Sequence, residues 1–199
     1  MTRIVDYYMH PQSPWSCLGH QELRRICALH NADIRIKPID LGAKVFPVSG
    51  GLPLAKRAPQ RQNYRFVELA RWRDRRGVPI QLRPAFFPAN GDTACRLIIA
   101  ADRLHGADAA LDIAGRFMRA TWCEERNVAD DATLRAVLHE AGLPADPLFH
   151  AIPDTHAVFD SYTQEAIDHG VFGVPWYVFD GVPYWGQDRL EFLEQALAG

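Results

Sequence analysis

Residues 4–27 read IVDYYMHPQSPWSCLGHQELRRIC. Ile4 to Met9 is β-branched and aromatic, the composition of a buried strand. Pro11 and the pair Ser13-Pro14 break it. Ser13 is placed to cap a helix with its side-chain oxygen, and Pro14 suits the first helical position, where no N–H is needed. Trp15, Leu18, Leu23, Ile26 and Cys27 form one apolar stripe, and Asn31 predicts the stop. From Asp33 to Ile39, Ile34, Ile36 and Pro38 alternate with polar residues and predict a second strand. The result is β-α-β, with a crossover long enough for a parallel pair.

Beyond this unit, residues 42–61 carry Ser49-Gly50-Gly51 with Pro47, Pro53 and Pro59, and read as a long loop, of a length that is usually functional or mobile. A helical block follows. Tyr64–Arg76 stops at Gly77-Val78-Pro79. Asp92–His105, with Asp92 as cap, ends at Gly106, and Ala107–Trp122 comes next. Asp131–Ala141 and Asp154–Asp168 are stopped by Gly142 and Gly170. Trp176-Tyr177-Val178-Phe179 and Val182-Pro183-Tyr184-Trp185 flank Asp180-Gly181, which predicts a hairpin with a type I′ turn. Pro183 assigns its strand to an edge. A last helix over Asp188–Leu197 carries Leu190, Leu193 and Leu197 on one face.

Composition narrows the function classes. The net charge is −2 at pH 7, so no global field favours nucleic acid or an anionic membrane. Basic residues cluster in Lys56-Arg57…Arg61 and in Arg71…Arg73…Arg75-Arg76; the latter, interleaved with Leu69 and Trp72, reads as a solvated helix face. The N-terminus shows no signal-like apolar stretch, and no window approaches the ~18 apolar residues of a membrane span. The four cysteines, Cys17, Cys27, Cys95 and Cys123, form no C-x-x-C. Their scatter fits a reducing cytoplasm rather than a disulfide framework or a zinc ribbon. No metal site is expected: HExxH is absent, and His150 and His156 have no partners in sequence. GxSxG, GxGxxG and Walker patterns are absent too.

Three stretches could carry chemistry. Ser13-Pro14-Trp15-Ser16 opens a helix after a first strand, where thioredoxin-like proteins keep C-P-x-C. Each serine stands where a cysteine would be, so the site cannot exchange a disulfide. A hydroxyl at a helix N-terminus can still hydrogen-bond an anion that the helix dipole favours, although for this tetrapeptide alone a plain N-cap serine is the simpler reading. Gly173-Val174-Pro175 precedes the hairpin, the place for a cis-proline. Trp185-Gly186-Gln187-Asp188-Arg189 opens the last helix. Asp188 is either a helix-dipole carboxylate or the partner of a ligand ammonium beside backbone N–H groups. Cys17, next to Ser16, is a buried thiol by the simpler reading and a reactive one by the other.

Together, Ser-Pro-Trp-Ser, Phe172-Gly173-Val174-Pro175 and Trp185-Gly186-Gln187-Asp188-Arg189-Leu190 resemble the 2-hydroxychromene-2-carboxylate isomerases. These are relatives of the kappa-class glutathione transferases within the thioredoxin superfamily. The resemblance runs from about residue 3 to 198 and extends to the loop at 49–59 and to Glu68-Leu69-Ala70-Arg71-Trp72. It implies an α/β fold: a thioredoxin-like domain over residues 1–60 and 170–199, interrupted by an all-helical insertion domain over 61–169.

The resemblance also implies an enzyme of aromatic catabolism that is cytoplasmic and homodimeric. It would use glutathione to isomerise an aromatic oxo acid by reversible thiolate addition to a conjugated double bond. Carried over, Ser13 is the catalytic residue and would hydrogen-bond the glutathione sulfur. Val174, before a cis-Pro175, would pair with the cysteinyl unit. Trp185, Gly186, Gln187 and Asp188 would hold the γ-glutamyl end, and Lys56 the glycyl end. Lys44 and Phe86 are the substrate candidates. The chain departs from the family pattern at Ala55-Lys56, where Asn-Arg is common, at Cys17, where an aromatic is usual, and at Met9-His10-Pro11-Gln12. Two other classes stay open: a kappa-like transferase or peroxidase that consumes glutathione, and a redox-inactive thioredoxin-like binding module.

Overall fold

The computed structural model describes residues 3–199. Strands β1 (Arg3–Met9) and β2 (Ala32–Pro38) pair in parallel across helix α1 (Pro14–Leu29), with Val5 opposite Ile34 and Tyr7 opposite Ile36. β3 (Trp176–Phe179) runs antiparallel to β1, and β4 (Val182–Trp185) antiparallel to β3, giving the order β2-β1-β3-β4. Asp180 and Gly181 both have positive φ, 49° and 75°, as the type I′ turn requires. β4 is an edge strand, so Pro183 withholds its missing N–H from no central ladder.

Both faces of the sheet are covered, so β1 is apolar on both sides from Ile4 to Met9 except at Asp6. On one face Val5, Tyr7 and Met9 pack with Leu18, Leu23 and Ile26 of α1 and with the last helix, α9 (Leu190–Ala198). On the other face Tyr8 and Trp176 pack with Ile39, Val45 and Val174. Lys37 is buried beneath this second layer. Its ammonium pairs with Asp6 at 3.2 Å and with Glu165, and it lies 5.2 Å from the Tyr8 ring centroid.

The helical insertion lies between β2 and β3. After the short α2 (Phe46–Ser49), it consists of α3 (Pro59–Arg76), α4 (Asp92–His105), α5 (Ala107–Trp122), α6 (Asp131–Glu140), α7 (Ala145–His150) and α8 (His156–Asp168). Its core is continuous with that of the sheet: Leu97, Ile98, Ile113, Phe117 and Trp122 belong to the same buried cluster as Val5 and Leu23.

Five local expectations need correction. The stretch 42–61 is not an open loop. It winds into a wide helical turn over Leu41–Val45, where Asp40 Oδ1 accepts from the Ala43 N–H, then α2, then one turn over Leu54–Lys56. α3 starts at Pro59, because proline pre-sets the first helical φ there as Pro14 does in α1. Gly91, not Asp92, caps α4, and Asp92 is its first residue. α7 went unread because its six residues are too few to show a helical period. Next to it, α8 begins at His156 after a short turn over Ile152–Thr155.

Candidate active site

A cavity of about 1380 Å³ opens where the N-terminus of α1, the turns at 41–57, α3, the segment before α4 and the two ends of the hairpin meet. Ser13 sits at its base, 5% exposed. Its Oγ accepts the Ser16 N–H at 3.1 Å and donates to the Val174 carbonyl at 3.1 Å. Pro14 has no N–H, and the Cys17 N–H bonds back to Ser13 O at 3.1 Å. Among the described residues this leaves the Trp15 N–H as the first-turn donor with no protein acceptor. The α1 N-terminus therefore offers the cavity a hydroxyl, one amide donor and the positive end of a sixteen-residue helix.

The neighbouring segments fix that corner. The Val174–Pro175 bond is cis. The Pro175 carbonyl accepts the Gly186 N–H at 2.9 Å, which ties the turn before β3 to the end of β4. Gly186 has φ 100°, and a Cβ there would lie 2.4 Å from Asp188 Oδ1, so only glycine lets the carboxylate fold over this backbone. Trp185 stacks edge-on against Phe172 at 4.5 Å between ring centroids. Gly173 leaves room for it, since a Cβ at 173 would stand 2.9 Å from Trp185 Nε1.

The structure thus brings Ser13, Val174, Trp185, Gly186, Gln187 and Asp188 to one cavity. They do not all present side chains. Gln187 is 1% exposed, and its Oε1 accepts from Arg76 Nε at 2.9 Å, so it braces α3 against the last helix. The same bond draws Arg76 out of the basic cluster on α3, while Arg71 and Arg75 do form a solvated face. Asp188 is partly exposed and pairs with Arg189 at 2.8 Å.

Four predicted residues lie off the cavity wall. Pro175 acts through its backbone bond to Gly186. Lys44 is exposed and ion-paired to Asp160 at 2.7 Å, because its wide turn faces α8. Lys56 is exposed on the turn at 54–56. Phe86 is 45% exposed, and its neighbour Phe87 takes the inward place, 4.7 Å from the Trp122 ring.

The sequence reading missed several lining residues. Trp15, Trp72 and Phe87 supply aromatic walls. His10 also lines the cavity, and Gln12 N–H donates to its Nδ1 at 3.2 Å, which puts the ring proton on Nε2. Desolvation pushes His10 down to about 4 against the pull of Asp40, so it is neutral at pH 7. Arg57, Arg61, Arg65 and Arg83 line the cavity as well. The run Lys56-Arg57…Arg61 was the available signal, but only the turns at 41–57 reveal that the arginines, not Lys56, face inward. Cys17 is 5% exposed, and its hydrogen bond to Cys123 together with burial raises its thiol well above the ordinary range, so the buried reading of Cys17 holds.

Among the described residues, no group of three or more His, Cys, Asp or Glu is placed to hold a metal ion, and no helix is long and apolar enough to cross a membrane.

Comparison with known proteins gives the family and the fold. The model of the DSBA-like thioredoxin domain matches residues 4–198. A 2-hydroxychromene-2-carboxylate isomerase from Pseudomonas putida is 30% identical, over 98% of this chain and 94% of its own. The solved structure of a 2-hydroxychromene-2-carboxylate isomerase matches with a TM-score of 0.79 at 28% identity, covering 98% of this chain and 94% of the other. The cytosolic disulfide reductase DsbM from Pseudomonas aeruginosa, solved with GSH, shares the fold: TM-score 0.69 at 19% identity, covering 98% of this chain and 100% of the other. The chain belongs to the DSBA-like thioredoxin domain family, among the relatives of the 2-hydroxychromene-2-carboxylate isomerases.

Proposed function

We propose that this protein is a glutathione-dependent cis–trans isomerase acting on 2-hydroxychromene-2-carboxylate or a related aryl-substituted unsaturated oxo acid. The observation that carries the reading is the Ser13 hydroxyl, held at the α1 N-terminus where a redox thiol would otherwise stand and facing a cavity far larger than one small substrate needs. Single-ligand pockets run to roughly 300–1,000 Å³, so about 1380 Å³ accommodates a tripeptide and a second molecule together.

The donor set fits glutathione. Asp188 is a carboxylate for the γ-glutamyl ammonium, beside the Trp185 ring. The Val174 carbonyl reaches the cavity where a cysteinyl amide would pair with it. A cavity arginine, Arg57 or Arg61, takes the glycyl carboxylate that Lys56 was expected to hold. Bound there, glutathione would supply a thiolate that adds reversibly to a conjugated double bond, letting the bond rotate before it is restored.

The chain's own residues do the rest. The Ser13 hydroxyl has one proton, now given to Val174 O. Rotation about Cβ–Oγ redirects it into the cavity, while the Ser16 N–H continues to polarise the oxygen. This donor, the Trp15 N–H and the helix dipole favour an anion at that corner by ~1.5–3 kcal/mol from a charge-assisted hydrogen bond alone. Neutral His10, with its proton on Nε2, lines the same cavity and can donate to an oxo group on which negative charge develops. The four free thiols agree with a cytoplasmic setting.

The test is calorimetric titration with glutathione at neutral pH, followed by turnover of 2-hydroxychromene-2-carboxylate with glutathione quantified before and after. Saturable one-site binding and turnover without net loss of glutathione support an isomerase. Stoichiometric loss would make the protein a transferase or peroxidase, and no binding would leave a non-catalytic module.

A further inference from the structure

We propose that Arg65 and Arg83 form a seat for a second anionic group on the substrate, so that the cavity selects aryl acids carrying two carboxylates over those carrying one. The proposal deepens the isomerase reading and rests on it for the division of the cavity between cofactor and substrate.

The starting point is an imbalance of charge. Arg57, Arg61, Arg65 and Arg83 all line the cavity. Among the described residues none of the four forms an ion pair. Four carboxylates share this wall: Glu68 is directed to Arg71 at 2.6 Å and Asp188 to Arg189 at 2.8 Å, Asp40 accepts the Ala43 N–H at 2.9 Å, and Asp92 opens α4, where the helix dipole favours its charge. Among the described residues the Arg57 guanidinium has only the Leu52 carbonyl, at 2.8 Å from its Nε.

These guanidiniums also disturb one another. Burial, then the charge of Arg61, pushes Arg57 down, and burial, then the charge of Arg57, pushes Arg65 down to about 10. Partly buried like charges without counter-ions are costly to hold together. A cavity that keeps four of them is complementary to a ligand with several negative groups.

The surroundings of Arg65 and Arg83 say which kind of group. The Arg65 guanidinium carbon lies 5.5 Å from the Phe87 ring centroid, 5.7 Å from Trp122 and 6.0 Å from Phe66. The Arg83 guanidinium carbon lies 4.3 Å from the same Phe66 ring. A guanidinium stacked on an aromatic face keeps its N–H edge free, and that edge matches a planar carboxylate bidentately. Two such forks share one ring, beside the packed pair Phe87–Trp122. An aromatic dicarboxylate satisfies the forks and the rings together, whereas a tetrahedral phosphate satisfies only the charge.

Counting assigns the pairs. The γ-glutamyl end of glutathione is met at Trp185 to Asp188, so glutathione needs one arginine, for its glycyl carboxylate. A substrate with one carboxylate needs one more. Two guanidiniums remain, and Arg65 and Arg83 are the two fixed on aromatic rings.

Calorimetry on the full chain tests this, with benzoate, benzene-1,2-dicarboxylate and inorganic phosphate as probes, each with and without saturating glutathione. The dicarboxylate should bind about tenfold tighter than benzoate or phosphate, a difference one charge-assisted pair can supply. Glutathione should not displace it. In the double variant Arg65→Gln, Arg83→Gln the preference should fall to near unity, while glutathione affinity stays within about twofold. If that variant does not fold, Arg65→Lys keeps the charge without the stacked fork and should lose most of the preference by itself. Equal binding of all three probes, a preference that survives in the variants, or competition between dicarboxylate and glutathione would overturn the seat. Dicarboxylate preference without any glutathione binding would uphold the seat and sink the cofactor reading instead.

Discussion

The Ser13 hydroxyl donates to the Val174 carbonyl at 3.1 Å, across 161 positions of chain, and both residues line the same cavity. The bond ties α1 to the turn before β3, and in the proposed reaction its proton is the one that a bound thiolate would call on. Ser13→Ala removes the N-cap as well, so it should cost ~0.5–2 kcal/mol of stability. It should also raise the pKa of bound glutathione by about one unit, since each unit corresponds to ~1.36 kcal/mol. Thiolate ultraviolet absorbance against pH reads the second effect, and an unchanged titration curve would remove Ser13 from the site.

Asp188 and Gly173 test the proposed γ-glutamyl end by different routes. Asp188→Asn deletes a carboxylate and should weaken glutathione about tenfold, with little change in stability. Gly173→Ala places a Cβ 2.9 Å from Trp185 Nε1 and must push the indole off Phe172. It should shift tryptophan fluorescence and weaken glutathione as well, at an overpacking cost of ~1–3 kcal/mol. Wild-type affinity in both variants would move the γ-glutamyl site elsewhere.

His20 makes stability pH-dependent. It is buried in α1; its Nε2 bonds to the Leu111 carbonyl at 2.9 Å, and among the described residues its Nδ1 has no partner. Burial lowers its pKa from 6.5 to about 4. Between these values the unfolded chain binds the proton and the folded chain does not, so stability is lost as the pH falls from 6.5 toward 4. The full effect is on the order of 3 kcal/mol at ~1.36 kcal/mol per unit. Urea unfolding at pH 7 and pH 4.5 should show that slope together with the share of His10, which burial lowers to about 4 in the same way, and His20→Gln should reduce the slope by about half. An equal slope in the variant would assign the loss to other groups.

Thiol reactivity should single out one cysteine. Cys123 is half-buried, and the hydrogen bond from Cys17 lowers its pKa, while the other three cysteines are buried with raised values. Native protein should therefore react at one thiol with iodoacetamide, and Cys123→Ser should abolish that reaction. Labelling of Cys17 ahead of Cys123 in the folded state would contradict the packing described.

Acid should also weaken the layer beneath β1 and β2. Burial alone would raise the Asp6 carboxyl, but the hydrogen bond from Arg35 and the charge of Lys37 overcome it and hold it below its ordinary value of 3.8. Its stabilisation is present above that value and drains away as the pH falls through the lower folded value. Asp6→Asn should lose this acid-side sensitivity, and in turn leave Lys37 with Glu165 as its remaining carboxylate. Unchanged acid unfolding in the variant would rule out the Asp6 contribution.

Much of the fold was legible in the sequence because its signals are local. Proline fixes φ and removes a donor, and glycine permits the left-handed φ a tight turn needs, so the start of α1 at Pro14, the Asp180-Gly181 turn and the edge position of Pro183 could be read without a structure. The apolar period of α4 and α5 gave Asp92–His105 and Ala107–Trp122 to the residue. α7 and the turns at 41–56 were not readable, because each is shorter than the period that would reveal it. The family motifs named Ser13, Val174, Trp185 and Asp188, and the structure gathers all four at the cavity.

The sequence by itself determined which chemistry is impossible here: serines at 13 and 16 cannot exchange a disulfide, whatever surrounds them. Only the tertiary structure decided which cations face the cavity. Lys44 and Lys56 lie beside the motif loop in sequence but outside the cavity lining, whereas Arg65 and Arg83 arrive from α3 and from the segment before α4. The reason is that side-chain direction on short helical turns depends on packing against distant elements. Residue type sets what a group can do, and only the assembled walls set what it meets.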